Sequence, residues 1–171
     1  MKETLMNRLT WMEYTVRDTV REFARHGVKK LVIVNGHYEN QWFLIEGIDL
    51  AMRELGQTPL TIMRLEYWDF FTAPTLAKAF PDGFPGYALE HAAVLETSMM
   101  LHYHPELVRL DRIPNDPPAD FPPYDIYPTR TEWVPPSGVL SSAKSATKAK
   151  GAAMVTELTT LISAAVKNEF S

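Results

Sequence analysis

The run Leu31-Val32-Ile33-Val34, which stops abruptly at Asn35-Gly36, constrains the fold of this chain more than any other feature. Four consecutive β-favouring residues suit a strand buried on both faces of a parallel sheet, and Asn-Gly lets the backbone bend sharply after it. Helical patterns flank the run. From about Asn7 to His26, Leu9, Met12, Val16, Val20 and Phe23 recur at three- and four-residue steps, and Gly27 is a good stop. Beyond the turn, Trp42, Ile45, Ile48, Asp49 and Met52 continue with helical spacing to Leu55, where Gly56 ends the pattern. Pro59 to Leu65 then reads as a second strand, parallel to the first through a right-handed crossover. A strand, a helix and a parallel strand define an α/β fold.

Further along, a short helix is expected over Pro74 to Phe80, and Pro81-Asp82-Gly83-Phe84-Pro85-Gly86 forms a non-repetitive loop. Helix resumes around Leu89 and runs to His102. Residues Arg112 to Pro136 hold most of the thirteen prolines, interleaved with Phe121, Tyr124, Tyr127 and Trp133, and read as a packed surface loop or an interface arm. Ser141-Ser142 is expected to cap a last helix from about Lys144 to Phe170, with Met154, Leu158, Leu161 and Val166 on one face.

With 171 residues, 46% of them hydrophobic and 22% charged, the chain suits one globular domain. A formal net charge of -4 without a dense basic cluster gives no footprint for nucleic acid or an anionic membrane and favours a small-molecule substrate or a protein partner. The absence of cysteine excludes thiol catalysis and thiolate ligation, and points to a cytoplasmic address. No apolar run approaches membrane-spanning length, and Met1-Lys2-Glu3-Thr4 lacks the apolar core of a signal peptide.

In open α/β sheets ligands sit at the carboxyl ends of the strands, which is where His37 and Glu39 fall. Imidazole and carboxylate are the ligand pair common to zinc and manganese hydrolases. The alternative is a polar turn residue and a glutamate favoured by the helix dipole. Glu66-Tyr67-Trp68-Asp69-Phe70-Phe71 follows the second strand, so its aromatics belong at the same end of the sheet. A second candidate is Glu90-His91, placed where a helix opens after the loop. Imidazole exchanges protons near neutral pH and a carboxylate can orient it; equally, Glu90 can serve the helix N-terminus while His91 is half-buried. Glu96 lies among Ala92, Val94, Leu95, Met99 and Met100 and needs a partner there, such as a metal, a metal ligand or a catalytic water. His26 reads as a cation at a helix C-terminus, and His102 and His104 as surface or interface residues.

Three local sequences, Asn35-Gly36-His37-Tyr38-Glu39-Asn40, Tyr67-Trp68-Asp69-Phe70 and Glu90-His91 with Glu96-Thr97-Ser98, resemble in order and spacing the creatininase (creatinine amidohydrolase) family. The likeness continues through Phe121-Pro122-Pro123-Tyr124-Asp125 and Leu140-Ser141-Ser142-Ala143-Lys144 and covers nearly all of the chain. It corresponds to the central and C-terminal parts of the family domain, without the family's N-terminal segment. The resemblance implies a three-layer α/β/α fold with a mainly parallel sheet. It also implies metal-dependent hydrolysis of a small cyclic amide such as creatinine to creatine, and a homo-oligomer, hexameric in the family. Two divalent ions, zinc or manganese, would be held by His37 and Glu39 together with a Glu-x-His pair and a bridging aspartate of the N-terminal segment. Tyr38 would contact substrate, Trp68 would form an aromatic gate, and Glu90 and His91 would be the catalytic pair with His91 as proton shuttle.

Tyr87 and Ala88 stand where creatininases carry a tryptophan and an aspartate against the substrate, and Ala92 and Ala93 replace two glycines. The resemblance therefore implies the reaction class more firmly than creatinine itself. With His37 and Glu39 alone, metal binding by this chain is expected to be impaired. The competing expectation is a non-catalytic, oligomerising fragment or subunit. A missing βα segment would also leave a strand edge and apolar surface uncovered.

Overall fold

The computed structural model describes residues 2–128 and 130–171, and the side chains of residues 2–9, Leu9 among them, lie outside the described set. Two compact units are present: residues up to Asp69 together with Ser163–Ser171, and Phe70–Ile162.

In the first unit the helix α1 (Lys2–Arg25) leads through Gly27 into strand β1 (Lys30–Asn35), helix α2 (Asn40–Leu55) and strand β2 (Thr61–Glu66). The two strands pair in parallel, in a register that sets Leu31 beside Ile62 and Asn35 beside Glu66. Side chains alternate across a strand, so Leu31, Ile33, Ile62 and their neighbours at two-residue steps share one face. That face packs with Val16, Ala24, Val28, Ile48 and Leu55 around the buried Val20, Ala51 and Leu60. Burying such a side chain contributes about 1.5–3 kcal/mol, which makes this cluster the main source of cohesion in the unit.

The expectation that β1 is buried on both faces does not hold. Val34 is 55% exposed, because it lies on the face opposite the helical cluster and β1 pairs with β2 alone among the described residues. At the other end of β1, the Lys30 ammonium donates to the carbonyl oxygen of Phe170, supplying a cation where helix carbonyls lack partners.

In the second unit, helix α3 (Ala73–Ala79) starts at Thr72, whose hydroxyl accepts from Thr75 N at 3.4 Å, with Pro74 in the first turn. Helix α4 (Val94–Tyr103) begins later than the sequence pattern suggests. Helix α5 (Lys148–Phe170) also begins later: Ser142 Oγ accepts from Lys144 N at 3.3 Å in a local turn, and Thr147 Oγ1 takes the Lys150 N–H at 3.1 Å where the helix starts. Between α4 and α5 the proline-rich stretch is irregular, with short 3₁₀ turns at Leu110–Arg112 and Thr131–Trp133. It is held by bonds such as Ala119 N to Leu140 O at 2.8 Å and by Arg130 stacked 5.5 Å from the Trp133 ring centroid.

Both units contain a glycine that lets two helices approach closely. A Cβ at Gly151 of α5 would collide with the backbone carbonyl of the fully buried Ser98 in α4. A Cβ at Gly47 of α2 would lie 2.7 Å from both the Glu13 carbonyl oxygen and Val16 Cβ of α1. Backbone cannot move aside as a flexible side chain can, so Gly47→Ala is expected to cost about 1–3 kcal/mol in urea denaturation. Gly36→Ala, with nothing within 4 Å of the added carbon, serves as a near-neutral control. Equal stability of the two variants would contradict this packing.

Candidate functional site

At the carboxyl end of β1 the chain turns through Gly36 to Glu39, and Asn40 N and Gln41 N donate to the carbonyls of His37 and Tyr38 at 3.1 and 3.3 Å. Glu39 occupies the N-cap of α2, yet its carboxylate makes no capping bond. Instead Glu39 Oε2 lies 2.7 Å from His37 Nδ1, with both side chains about half or more exposed. The turn thus presents two convergent donors to solvent rather than spending them on the helix terminus. An aromatic cluster adjoins them: Tyr38 sits 6.0 Å from Trp68 and 6.1 Å from Trp42, and Tyr67 lies 5.2 Å from Trp68 by ring centroids. Trp68, in the 3₁₀ turn after β2, is only 7% exposed, while Tyr38 and Trp42 show much of their surface. The sheet therefore brings His37, Tyr38, Glu39 and Trp68 to one end, as the strand pattern requires.

Behind this turn stands a polar group that the sequence reading passed over. Asn35 is 2% exposed and Glu66 is buried, facing each other across the register. Arg64 pairs with Glu66. The signal for Glu66 was available, since it falls on the same face as Ile62 and an unaccompanied carboxylate there is costly. Near it, the Asp69 carboxyl is pushed above its ordinary range by burial first and then by the Glu66 charge, with Arg64 opposing.

In the second unit, Glu90 and His91 do not open a helix. A 3₁₀ turn at Tyr87–Leu89 ends at Glu90, and Ala92 takes a left-handed φ of 54°, which interrupts any helical run before Val94. The two glutamates of this segment share the helix start. Glu90 Oε2 accepts from Leu95 N at 2.8 Å, and Glu96 Oε2 reaches back to Ala92 N at 2.6 Å. The partner that Glu96 needs is therefore a backbone N–H. Glu90 Oε1 is buried and has no hydrogen-bond partner among the described residues. Burial pushes the Glu90 carboxyl up to about 7; the Leu95 and Val94 N–H groups oppose this, and the Glu96 charge adds to it. Its carboxyl therefore gives up its proton well above the ordinary carboxylate range.

His91 is exposed, and its carbonyl accepts from Leu140 N at 3.4 Å. Tyr87 closes an aromatic run with Phe84 and Phe80 at centroid distances of 4.8 and 5.0 Å, while Ala88 faces solvent. Of the other histidines, His26 lies 3.8 Å from Glu22 just after the end of α1, and His104 is exposed beside Glu106. His102 departs from the surface reading. Its Nδ1 is buried without a hydrogen-bond partner among the described residues, where α5 approaches α4 at Gly151 beside its Cβ.

Among the described residues there is no group of three or more His, Cys, Asp or Glu side chains that could hold a metal ion. His37 and Glu39 fall short of the three protein ligands typical of a catalytic zinc.

The raised Glu90 value has a consequence for stability. Below about 4.5 both folded and unfolded chains hold the proton; from about 4.5 to about 7 only the folded chain does, so stability falls as pH rises through this window and levels off above it. The loss is on the order of 3 kcal/mol. Glu90→Gln is expected to flatten this slope in chemical denaturation series and to be the more stable form at pH 8. A parallel pH dependence in both proteins would contradict the assignment.

The family model described as creatininase, creatinine amidohydrolase, matches residues 3–166. Creatinine amidohydrolase of Pseudomonas putida is 47% identical over 160 residues, which make up 91% of this chain and 62% of that protein. The crystal structure of a creatinine amidohydrolase (creatininase) superposes with a TM-score of 0.91 at 45% identity, covering 95% of this chain and 64% of that one. A glutamate-to-glutamine variant of creatininase complexed with creatine gives 0.90 at 44% identity over 95% and 65% of the two chains. Creatininases in a manganese form and a Zn-Zn type are equally similar. The chain spans about three-fifths of the curated relative it matches, with the α/β fold of those structures, and it belongs to the creatininase family.

Proposed function

We propose that this chain provides part of a metal-dependent amidohydrolase that cleaves the C–N bond of a small cyclic amide, with creatinine to creatine as the reference reaction. The observation that carries this reading is the 2.7 Å approach of His37 Nδ1 and Glu39 Oε2 at the carboxyl end of a parallel strand, in a chain of this family. The two residues act as ligands within a larger set, for zinc or manganese, the ions named for similar creatininases. Glu39 also lies close to the reacting water in this reading. Tyr38 and Trp68 are the proposed substrate contacts beside the ligand turn, and Tyr87 and Ala88 are the proposed source of a substrate preference different from that of relatives with other residues there.

Amide hydrolysis requires a proton for the departing nitrogen, and general acids of suitable strength contribute about 10²–10⁴-fold. Glu90, which still holds a proton near neutral pH, and the adjacent His91 imidazole are the groups suited to carry it. A cytoplasmic homo-oligomer, as large as a hexamer, completes the reading.

One observation favours a second reading, a non-catalytic oligomerising subunit: the described residues contain no three-donor group. A chimera separates the two. Replacing the aligned region of the Pseudomonas putida relative with residues 3–166 of this chain is expected to retain creatinine or related amide hydrolysis with added zinc or manganese. His37→Ala or Glu39→Gln in the chimera is expected to lower turnover at least 100-fold. A folded, metal-loaded chimera without turnover on any small amide would favour the second reading.

A further inference from the structure

Resting on the reading of His37 and Glu39 as ligands, we infer that Asn35 is a positioning residue that fixes the ligand turn from below, anchored in turn by Glu66 and Arg64. Asn35 ends β1 almost completely buried, a position at which an amide must find partners for its polar atoms. Its Oδ1 accepts from the backbone N–H of His37 at 3.1 Å, so one side chain spans the turn and sets where the His37 backbone leaves the sheet. Its Nδ2 points to Glu66 Oε1 at 3.5 Å, a long bond that orients the amide. Glu66 is its register partner on β2, and Arg64, two residues earlier on the same face, pairs with the same carboxylate.

The chain of contacts thus runs from β2, across the register, into the turn. The other bonds of the turn, from Asn40 N and Gln41 N to the carbonyls of His37 and Tyr38, stay within the turn and do not reach β2. Gly36 has open space around it, and Glu39 makes no capping bond. Without Asn35, the His37 N–H loses its acceptor and the bend loses its side-chain brace, although the ladder between β1 and β2 remains. The His37 imidazole would then no longer be held 2.7 Å from Glu39.

Amide hydrogen exchange on the 171-residue chain tests this without any metal or turnover, so its outcome is independent of whether the ligand reading holds. Asn35→Ala is expected to speed exchange of the His37 amide at least tenfold, while the paired amides of β1 and β2 change less than threefold. Asn35→Asp combined with Glu66→Gln, which keeps an oxygen acceptor below the His37 N–H and an amide-to-carboxylate pair across the register, is expected to restore most of the His37 protection. Two results would overturn the inference: unchanged His37 exchange in Asn35→Ala, or a uniform loss of protection through both strands that the double exchange does not reverse.

Discussion

The parallel pairing of β1 with β2 is the interaction on which the candidate ligand turn depends. Parallel strands send their carboxyl ends the same way, so the turn after β1 and the aromatic turn after β2 emerge side by side. A one-residue slip would reverse every side chain and replace Asn35 and Glu66 with Val34 and Leu65 on the face of the helical cluster. The register is held by Leu31, Ile33 and Ile62 packing beneath α1 and α2, whose own separation is set by Gly47. Polar chemistry at the strand ends is therefore a by-product of apolar packing in their middles.

A different balance governs the Glu90 segment. Two carboxylates sit at the start of α4 and each takes a backbone N–H, yet only Glu90 is buried with an oxygen left unpaired. The dipole and N–H bonds favour its charge, while desolvation and the neighbouring Glu96 oppose it, and desolvation is the larger effect. The same carboxylate thus satisfies a helix terminus while burial keeps it pushed up to about 7. The helix-terminus reading of Glu90 holds for one of its oxygens, while His91, set beside it as the acid–base candidate, is exposed.

How much was legible in the sequence follows from which physical signals are local. The order helix, strand, helix, strand was readable because hydrophobic periodicity is set by neighbours, and the turn at Asn35-Gly36 because its chemistry is contained in two residues. Helix starts were less readable. Leu89 to Ala93 carries apolar spacing that continues the pattern of α4, but the left-handed Ala92 and the two side-chain caps stop the helix at Val94. Likewise Ser141-Ser142 looked like a cap, whereas the cap is Thr147, next to the point where Gly151 admits the Ser98 backbone. Burial of Val34 was misjudged because a run of β-formers does not reveal how many strands flank it. Asn35 and Glu66 were invisible as a pair, since their meeting depends on register between residues far apart in the chain.

In the proposed function, the turn after β1 presents a metal-binding imidazole, His37, beside Glu39. Zinc titration of the chain, followed through the ring nitrogens of its five histidines by ¹⁵N NMR, tests it most directly. The expected result is that His37 responds first, with its response weakened by Glu39→Gln, while His26, His91, His102 and His104 are left nearly unchanged at the same zinc concentration. A titration in which His37 stays silent while other histidines shift would contradict it.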